Sequence, residues 1–396
     1  MLAPNEIAMW DDPPRNRKVS MHDADINEKY DLRERRIVTE SNREKLPNFV
    51  DALKRPGYID LRPYYQRRER WDKERQSRLI ESFIINIPVP PLFLYERSYN
   101  SYEVMDGQQR ITAIRDFYDN RFELEGLELW PELNGRKYAN LPAKIRAGID
   151  RRSISYIVLL KESAESEEEE LLLKQLVFER LNTGGVKLGH QEIRNALYQS
   201  KFNSLLLDLS RKNPIFTAAW DIPPYAEGES ENPPRELADD KLYQTMGDAE
   251  IVLRFFALRH YQHFRRGMQG FLDLYTIRSR NFTDVDVSTL RDLFLRTITL
   301  AHSLYGELIF RPYEPKHGRW ATTAHKAFYD AVMVGLSHHL ESHDMLLERR
   351  EMIIQRTQEL FEKHPSGTFT GRANTKADNA RRIELYSEMI SRVLAE

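Results

Sequence analysis

The sequence predicts an α+β N-terminal domain followed by an all-α C-terminal domain, and three observations carry that prediction. At 396 residues the chain exceeds the size at which single hydrophobic cores stop growing, which argues for two domains. Between residues 92 and 160, short apolar runs of strand length are mixed with helix-spaced segments. Beyond Leu206, helical spacing dominates and is broken chiefly by a Pro- and Glu-rich loop over residues 221–240. The boundaries that follow are an N-terminal arm at 1–45, an α+β domain at 46–200 and a helical domain at 201–396.

Residues 1–45 are charge-rich, contain Pro4, Pro13 and Pro14, and show little apolar periodicity, which reads as an arm with one helix at most. A helix through Phe49, Val50 and Leu53 then breaks at Pro56-Gly57. Asp72 is the expected N-cap of a helix whose apolar positions are Leu79, Ile80, Phe83, Ile84 and Ile87, ended by Pro88, Pro90 and Pro91. Strands are predicted at 92–95 and 102–105 around the polar turn Glu96–Ser101, and again at 122–127 and 154–160, with a turn at Asn134-Gly135 and a helix at 141–149. The acidic run at 162–170 reads as a loop and the first turn of a helix at 171–181, since carboxylates favour helix N-termini. After the turn Asn182-Thr183-Gly184-Gly185, Gly189 as N-cap, Glu192 at N3 and a Leu188–Ile193 contact signal another helix start. Helices are expected near 249–264, 288–305, 325–338, 345–363 and 379–394.

Hydrophobic residues at 41% and charged residues at 30% describe a soluble globular chain, and no apolar run approaches the ~20 residues needed to span a bilayer. The first twenty residues lack the basic flank and apolar core of a secretory signal, so a cytoplasmic protein with no membrane partner is expected. The absence of cysteine agrees with that compartment and excludes disulfides, thiolate nucleophiles and thiolate zinc sites. A formal charge of −2 confines any nucleic-acid contact to a local patch. Arg62, Arg67, Arg68, Arg70, Lys73, Arg75 and Arg78 form one candidate, but Asp60, Glu69, Asp72 and Glu74 interleave with it, and a solvated helix face with local ion pairs explains it equally well.

The most informative stretch is Asp106-Gly107-Gln108-Gln109-Arg110, where a short strand should pass into a helix. That junction gathers a carboxylate, two amides and a guanidinium at a helix N-terminus, which favours a phosphate. Asp106 suits a metal ligand or base, Gln108 and Gln109 suit orienting water or reading a base, and Arg110 suits phosphate neutralisation. An Asp-Gly turn with a capping role is the plainer alternative. Residues 178–198 form a second constellation, with Arg180, Asn182, Thr183, two glycines and Lys187 ahead of a helix that carries Gln191 and Asn195 on one face. It fits a phosphate cradle or a domain hinge.

Three blocks, residues 58–96, 102–114 and 178–198, resemble in order and spacing the signatures of the GmrS-type domain family, which bears the DGQQR motif. That domain occurs in GmrSD modification-dependent restriction enzymes and other phage-defence proteins. The resemblance covers roughly residues 45–200 and implies a ParB/sulfiredoxin-like fold that binds and hydrolyses a nucleoside triphosphate, ATP or GTP, with Mg²⁺. It further implies coupling to DNA, including modified phage DNA. Carried onto this chain, Asp106, Gly107, Gln108, Gln109, Arg110 and Thr112 would form the nucleotide and metal site, with Asp106 on the metal. Gln66, Arg67, Trp71, Arg180, Asn182, Thr183, Glu192, Arg194 and Asn195 would line or support it, although Trp71 and the residue 79–87 helix read more simply as core. The third block lacks the Glu-Asn-x-x-Arg motif of ParB proteins.

Many relatives add an HNH nuclease, whose ββα unit is not legible here: His317, His325, His338, His339 and His343 fall in a helical region. His339 and His343 have the i, i+4 spacing of a shared helical face but read as surface residues. Nuclease activity would then come from a partner subunit or an unrecognised site. Two other readings stay open, a ParB-like nucleotide-gated DNA-binding module without significant hydrolysis and a small-molecule phosphotransferase.

Overall fold

The computed structural model describes residues 2–10, 22–24, 26–27, 37–60, 71–161, 167–181, 189–198, 200–224, 234–365, 367–371 and 375–396. The chain forms two compact units, Asn16–Leu188 and the discontinuous pair Met1–Arg15 with Gly189–Glu396.

The first unit is built on a mixed five-stranded sheet. Its elements are β1 (Thr39–Lys45), α1 (Leu46–Leu53), β2 (Ile59–Asp60), α2 (Lys73–Ile85), β3 (Leu92–Ser98), β4 (Ser101–Asp106), α3 (Gln108–Tyr118), α4 (Ala143–Asp150), β5 (Ser153–Leu159) and α5 (Glu167–Leu181). The strand order is β1-β5-β3-β4-β2, with β1/β5 and β3/β4 antiparallel and β3/β5 and β2/β4 parallel. The Asp72 carboxylate caps α2 by accepting from Arg75 N at 2.8 Å, and Asn86 ends it in the left-handed region before the prolines. Phe49, Ile80, Phe83, Ile111, Ile114 and Phe117 pack with Leu92 and Ile154 on one face of the sheet. On the other face Tyr95, Met105 and Leu159 pack with Val177 and Phe178 of α5. The sheet is therefore buried on both sides, and the alternation along β3 and β4 divides their side chains between two cores.

Two expectations change in this unit. Part of the expected arm is an edge strand, β1, whose sequence TESNREK has no apolar residue. It is held by pairing its backbone with β5, an interaction that leaves no hydrophobic signature in the sequence. Residues 122–127 form a loop and not a strand: Phe122, Leu124 and Leu127 are buried, while Leu124 exchanges main-chain bonds with Arg136 and Gly135 at 3.0 and 2.7 Å. Burial at every second or third residue mimicked strand alternation.

The second unit is mainly helical: α6 (His190–Leu197), α7 (Lys201–Lys212), α8 (Gly247–Leu258), α9 (Gly267–Arg278), α10 (Asp284–Tyr305), α11 (Lys326–Ser337), α12 (Arg350–Lys363) and α13 (Lys376–Ala395), with shorter helices between them. Capping boxes start α10 at Thr283/Asp286 and α13 at Thr375/Asp378. From Ala327 to Ser337 every residue of α11 is buried, so this helix is the axis of the core. The unit is not all-α, because Tyr313–Glu314 and Arg319–Trp320 pair as a small hairpin. His338 ends α11, and His343 begins a separate helix after a 3₁₀ turn, so His339 and His343 do not share one helical face.

The chain's first residues also belong to this helical unit. Ala3 is part of its core, and the helix Pro4–Ala8 buries Glu6 completely. The Glu6 carboxylate accepts from Ala3 N at 3.0 Å, Arg259 at 3.0 Å and the Tyr275 hydroxyl at 2.9 Å, and lies 2.8 Å from His260 Nε2. Trp10 stacks on His263 with centroids 4.6 Å apart. The segment is short and is followed by a charged, proline-containing stretch, so its apolar residues set up no periodicity that announces a core role. What fixes it is a buried charge that finds its partners some 250 residues later.

Burial pushes the Glu6 carboxyl up, but the His260 hydrogen bond and the Arg259 and His260 charges outweigh it and hold it below the usual glutamate range. A lowered folded value means that this contribution is present above the ordinary range and is lost as pH falls through the folded value. Glu6→Ala, which removes the buried carboxylate that Arg259, His260 and Tyr275 share, is expected to cost about 3–5 kcal/mol of stability at neutral pH. Urea melts of the variant and the parent down to acid pH should converge; a midpoint equal to the parent's at pH 7 would show that the segment is dispensable.

Candidate functional site at the β4–α3 junction

β4 ends at Asp106 in register with Phe93 of β3, and α3 begins at Gln108. Gly107 makes the change of direction as the helix N-cap with φ of +96°, a conformation that side chains rarely adopt. A Cβ at this position would collide with the Leu92 side chain and lie 3.1 Å from Arg110 Nη2. The first intrahelical bond runs from Ile111 N to Gly107 O at 2.9 Å, so the positive end of the helix dipole lies beside Asp106.

The guanidinium of Arg110 turns back across the junction. Its Nη2 donates to Asp106 Oδ2 at 2.6 Å, and its Nη1 donates to the carbonyls of Pro90 and of Pro91, the latter at 3.2 Å. Only 12% of the Arg110 side chain is exposed, against 48% for Asp106. The arginine thus holds the carboxylate and the proline segment in place, while the carboxylate itself faces solvent. Gln109 Oε1 accepts from Trp71 N at 3.3 Å, which ties the segment preceding α2 to the junction. Gln108 is buried, and Thr112 is half-buried in the following turn. Trp71 packs at the margin of the core under α1–α3, in agreement with its plainer reading.

The remaining expected residues divide. Gln66, Arg67, Asn182 and Thr183 lie outside the described residues. Arg180 is exposed in the last turn of α5. Glu192, Arg194 and Asn195 are buried on α6, in the helical unit. Glu192 completes the expected helix start by accepting from Gly189 N at 2.6 Å. Asn195 accepts from the Asn203 side chain.

Arg194 is the clearest revision. Its Nε donates to Asp273 at 2.6 Å, Nη1 to Gln191 at 3.1 Å and Glu250 at 3.2 Å, and Nη2 to the carbonyl and side chain of Gln269 at 3.1 and 2.5 Å. A guanidinium has five N–H donors, and five acceptors are met inside one helical unit. All five donors are met inside this unit, so in the structure Arg194 acts as a structural tie. The sequence signalled a polar helix face; it did not signal that the face points inward.

Among the described residues no group of three or more His, Asp or Glu is arranged to hold a metal ion. A protein-only metal cage is therefore not offered by them. Asp106 instead fits a hard cation that takes one carboxylate and completes its shell with phosphate oxygens and water, as Mg²⁺ does. Among the described residues no helix is long and apolar enough to cross a membrane.

The α+β unit thus carries one braced, solvent-facing carboxylate at a strand-turn-helix junction, beside a helix N-terminus. Residues 48–199 match the family described as the GmrSD restriction endonuclease, N-terminal domain, and this part of the chain belongs to that family. The match continues past Leu188 into α6, so the family's sequence unit crosses the boundary between the two compact units. No curated protein and no solved structure matches the chain.

Gly107→Ala is expected to destabilise the α+β unit by roughly 1–3 kcal/mol through left-handed strain and the Leu92 collision. Denaturant melts followed by near-UV circular dichroism measure this, and an unchanged midpoint would mean that the turn can relax. Arg194→Met should lower stability by about 3–5 kcal/mol, since Asp273 and Glu250 lose a buried partner; a nearly neutral change would contradict a structural tie.

Proposed function

We propose that the chain is a restriction-like phage-defence protein whose α+β unit, of ParB-like type, binds and hydrolyses a nucleoside triphosphate, ATP or GTP, with Mg²⁺ at the β4–α3 junction, and that this turnover serves action on foreign DNA. The family match supports the restriction context. The observation that carries the site is the exposed Asp106 carboxylate braced by Arg110 at the N-terminus of α3. Asp106 would hold the cation, which when bound supplies neutralisation of the triphosphate charge. Gly107 lets the backbone approach the phosphates closely, and Gln108, Gln109 and Thr112 supply neutral polar groups around the same turn. Modified phage DNA is the proposed trigger, with nuclease action supplied by a partner subunit or by a region outside this junction.

One observation favours a second reading. Arg110 engages Asp106 and two proline carbonyls, so it is already committed where hydrolysis would benefit from a cation on the phosphoryl group. A nucleotide-gated DNA-binding module, in which the bound nucleotide shifts a conformational equilibrium without being consumed, needs no such cation.

Phosphate release from each of the four NTPs with Mg²⁺, with and without plain and modified phage DNA, distinguishes these readings. Asp106→Asn is expected to reduce release by at least about a hundredfold while costing no more than about 1 kcal/mol of stability, the worth of a partly exposed ion pair. Equal release in that variant would remove Asp106 from the site. Tight Mg²⁺-dependent binding without release would select the gated module.

A further inference from the structure

The α+β unit carries a second charged feature. Residues 134–152 contain six basic residues, Arg136, Lys137, Lys144, Arg146, Arg151 and Arg152, and a single acid, Asp150. That acid is half-buried, and its carboxylate accepts the hydroxyls of Tyr118 at 2.9 Å and of Tyr138 at 2.8 Å, which orient it without cancelling its charge; the cations of the segment still outnumber it. Arg152 is internal, donating to the carbonyls of Phe83 and Ile84 at 3.0 and 3.4 Å, where it closes the end of α2. Lys137 stands 3.8 Å from Glu123. Lys144, Arg146 and Arg151 are exposed and form no ion pair among the described residues.

The helix that carries them has a core side and an open side. Ile145 and Ile149 of α4 join the core, which turns Lys144, Ala147 and Arg151 outward, with Arg146 on the flank nearest Tyr138. The outward surface is otherwise small: Ala143 and Ala147 are exposed, and a Cβ on Gly148 would meet nothing within 4 Å. Exposed Arg136 lies on the preceding loop, its Nη1 bonded to Asn140 O at 2.9 Å. No large exposed apolar side chain occurs within 134–152. The face therefore lacks the apolar anchor that a protein hot spot or a membrane-inserting helix uses. Lys144 and Arg151 share one side of this low surface and Arg146 stands on the other flank, so the cations straddle a ridge that a charged backbone can approach.

We propose that α4 and the loop before it form a phosphate-backbone contact for duplex DNA, independent of base sequence, with Lys144, Arg146 and Arg151 as its principal cations and Arg136 at its edge. On a chain with net charge −2 such a patch must act locally, and this one is not offset by exposed acids of its own segment. The choice of DNA as partner rests on the restriction reading above, whereas the location rests on the charge geometry alone.

The test is a fluorescence-anisotropy titration of the full chain with a labelled DNA duplex of arbitrary sequence over a range of salt, without nucleotide. The variant Lys144→Gln/Arg146→Gln/Arg151→Gln is expected to bind at least about tenfold more weakly at low salt, and to lower the slope of log K against log salt by about 0.9 for each phosphate it no longer neutralises. The control Lys316→Gln/Arg319→Gln, on the exposed hairpin of the helical unit, should bind as the parent does. A parallel loss on an RNA duplex would support the same phosphate chemistry. Unchanged affinity and slope, an equal loss in the control, a parent that binds no duplex, or a preference for anionic phospholipid vesicles would each overturn the proposal. Phosphate release from NTP in the absence of DNA is measured on the same variants and should not change, so failure of the nucleotide reading and failure of the DNA face are separately visible.

Discussion

The sign of φ at Gly107 is the constraint on which the α+β unit turns. A strand running between two cores must end and a helix must begin without leaving the sheet, and only a left-handed residue without a Cβ lets Leu92 and Arg110 close over the turn. Once the chain has turned, Arg110 lies within reach of Asp106 and of the Pro90 and Pro91 carbonyls. One guanidinium then fixes the carboxylate, the start of α3 and the entry to β3 together. Charge-assisted bonds of this kind are stronger and more directional than neutral ones, which makes Asp106 a pre-positioned group despite its exposure.

The helical unit is organised around a different economy, that of buried charge. Arg194 meets Asp273 and Glu250, Glu6 meets Arg259, and Arg254 makes paired bonds to Asp330 with Arg382 3.9 Å away. Replacing a whole buried pair by apolar residues is often harmless, but removing one partner is costly because the other charge is left in low dielectric. These ties join segments far apart in sequence, so they set which stretches belong to the unit. They explain why residues 2–10 and 189–198 fold with the helices although both read as parts of other regions.

The elements that were legible in the sequence are those whose signal is local. The Asp72 cap, the β4–Gly107–α3 junction, the Gly189/Glu192 helix start and the long C-terminal helices each follow from a few neighbouring residues. β1 is not legible in the sequence because a polar edge strand is defined by its partner's backbone. Residues 122–127 mimic a strand because apolar alternation reports burial, and burial does not require a ladder. Within the candidate site, the Asp106–Arg110 pair is not legible, because Asp106 ends a strand and meets Arg110 only through the left-handed turn at Gly107. The five acceptors around Arg194 could not be foreseen, since Gln269 and Asp273 lie some 75 residues further on. The cation-rich surface of α4 is equally hidden, because only the structure shows that Lys144, Arg146 and Arg151 are exposed while Arg152 is bonded to the end of α2.

By itself, the sequence determined the motif at residues 106–110 and the membership of residues 48–199 in a restriction-associated domain family, because these reside in residue type and short-range order. The tertiary structure alone decided which polar residues are ties and which face solvent. Hydrogen-bond donors and carboxylates carry the same chemistry in a string of letters whether they are consumed or available, and only packing counts their partners.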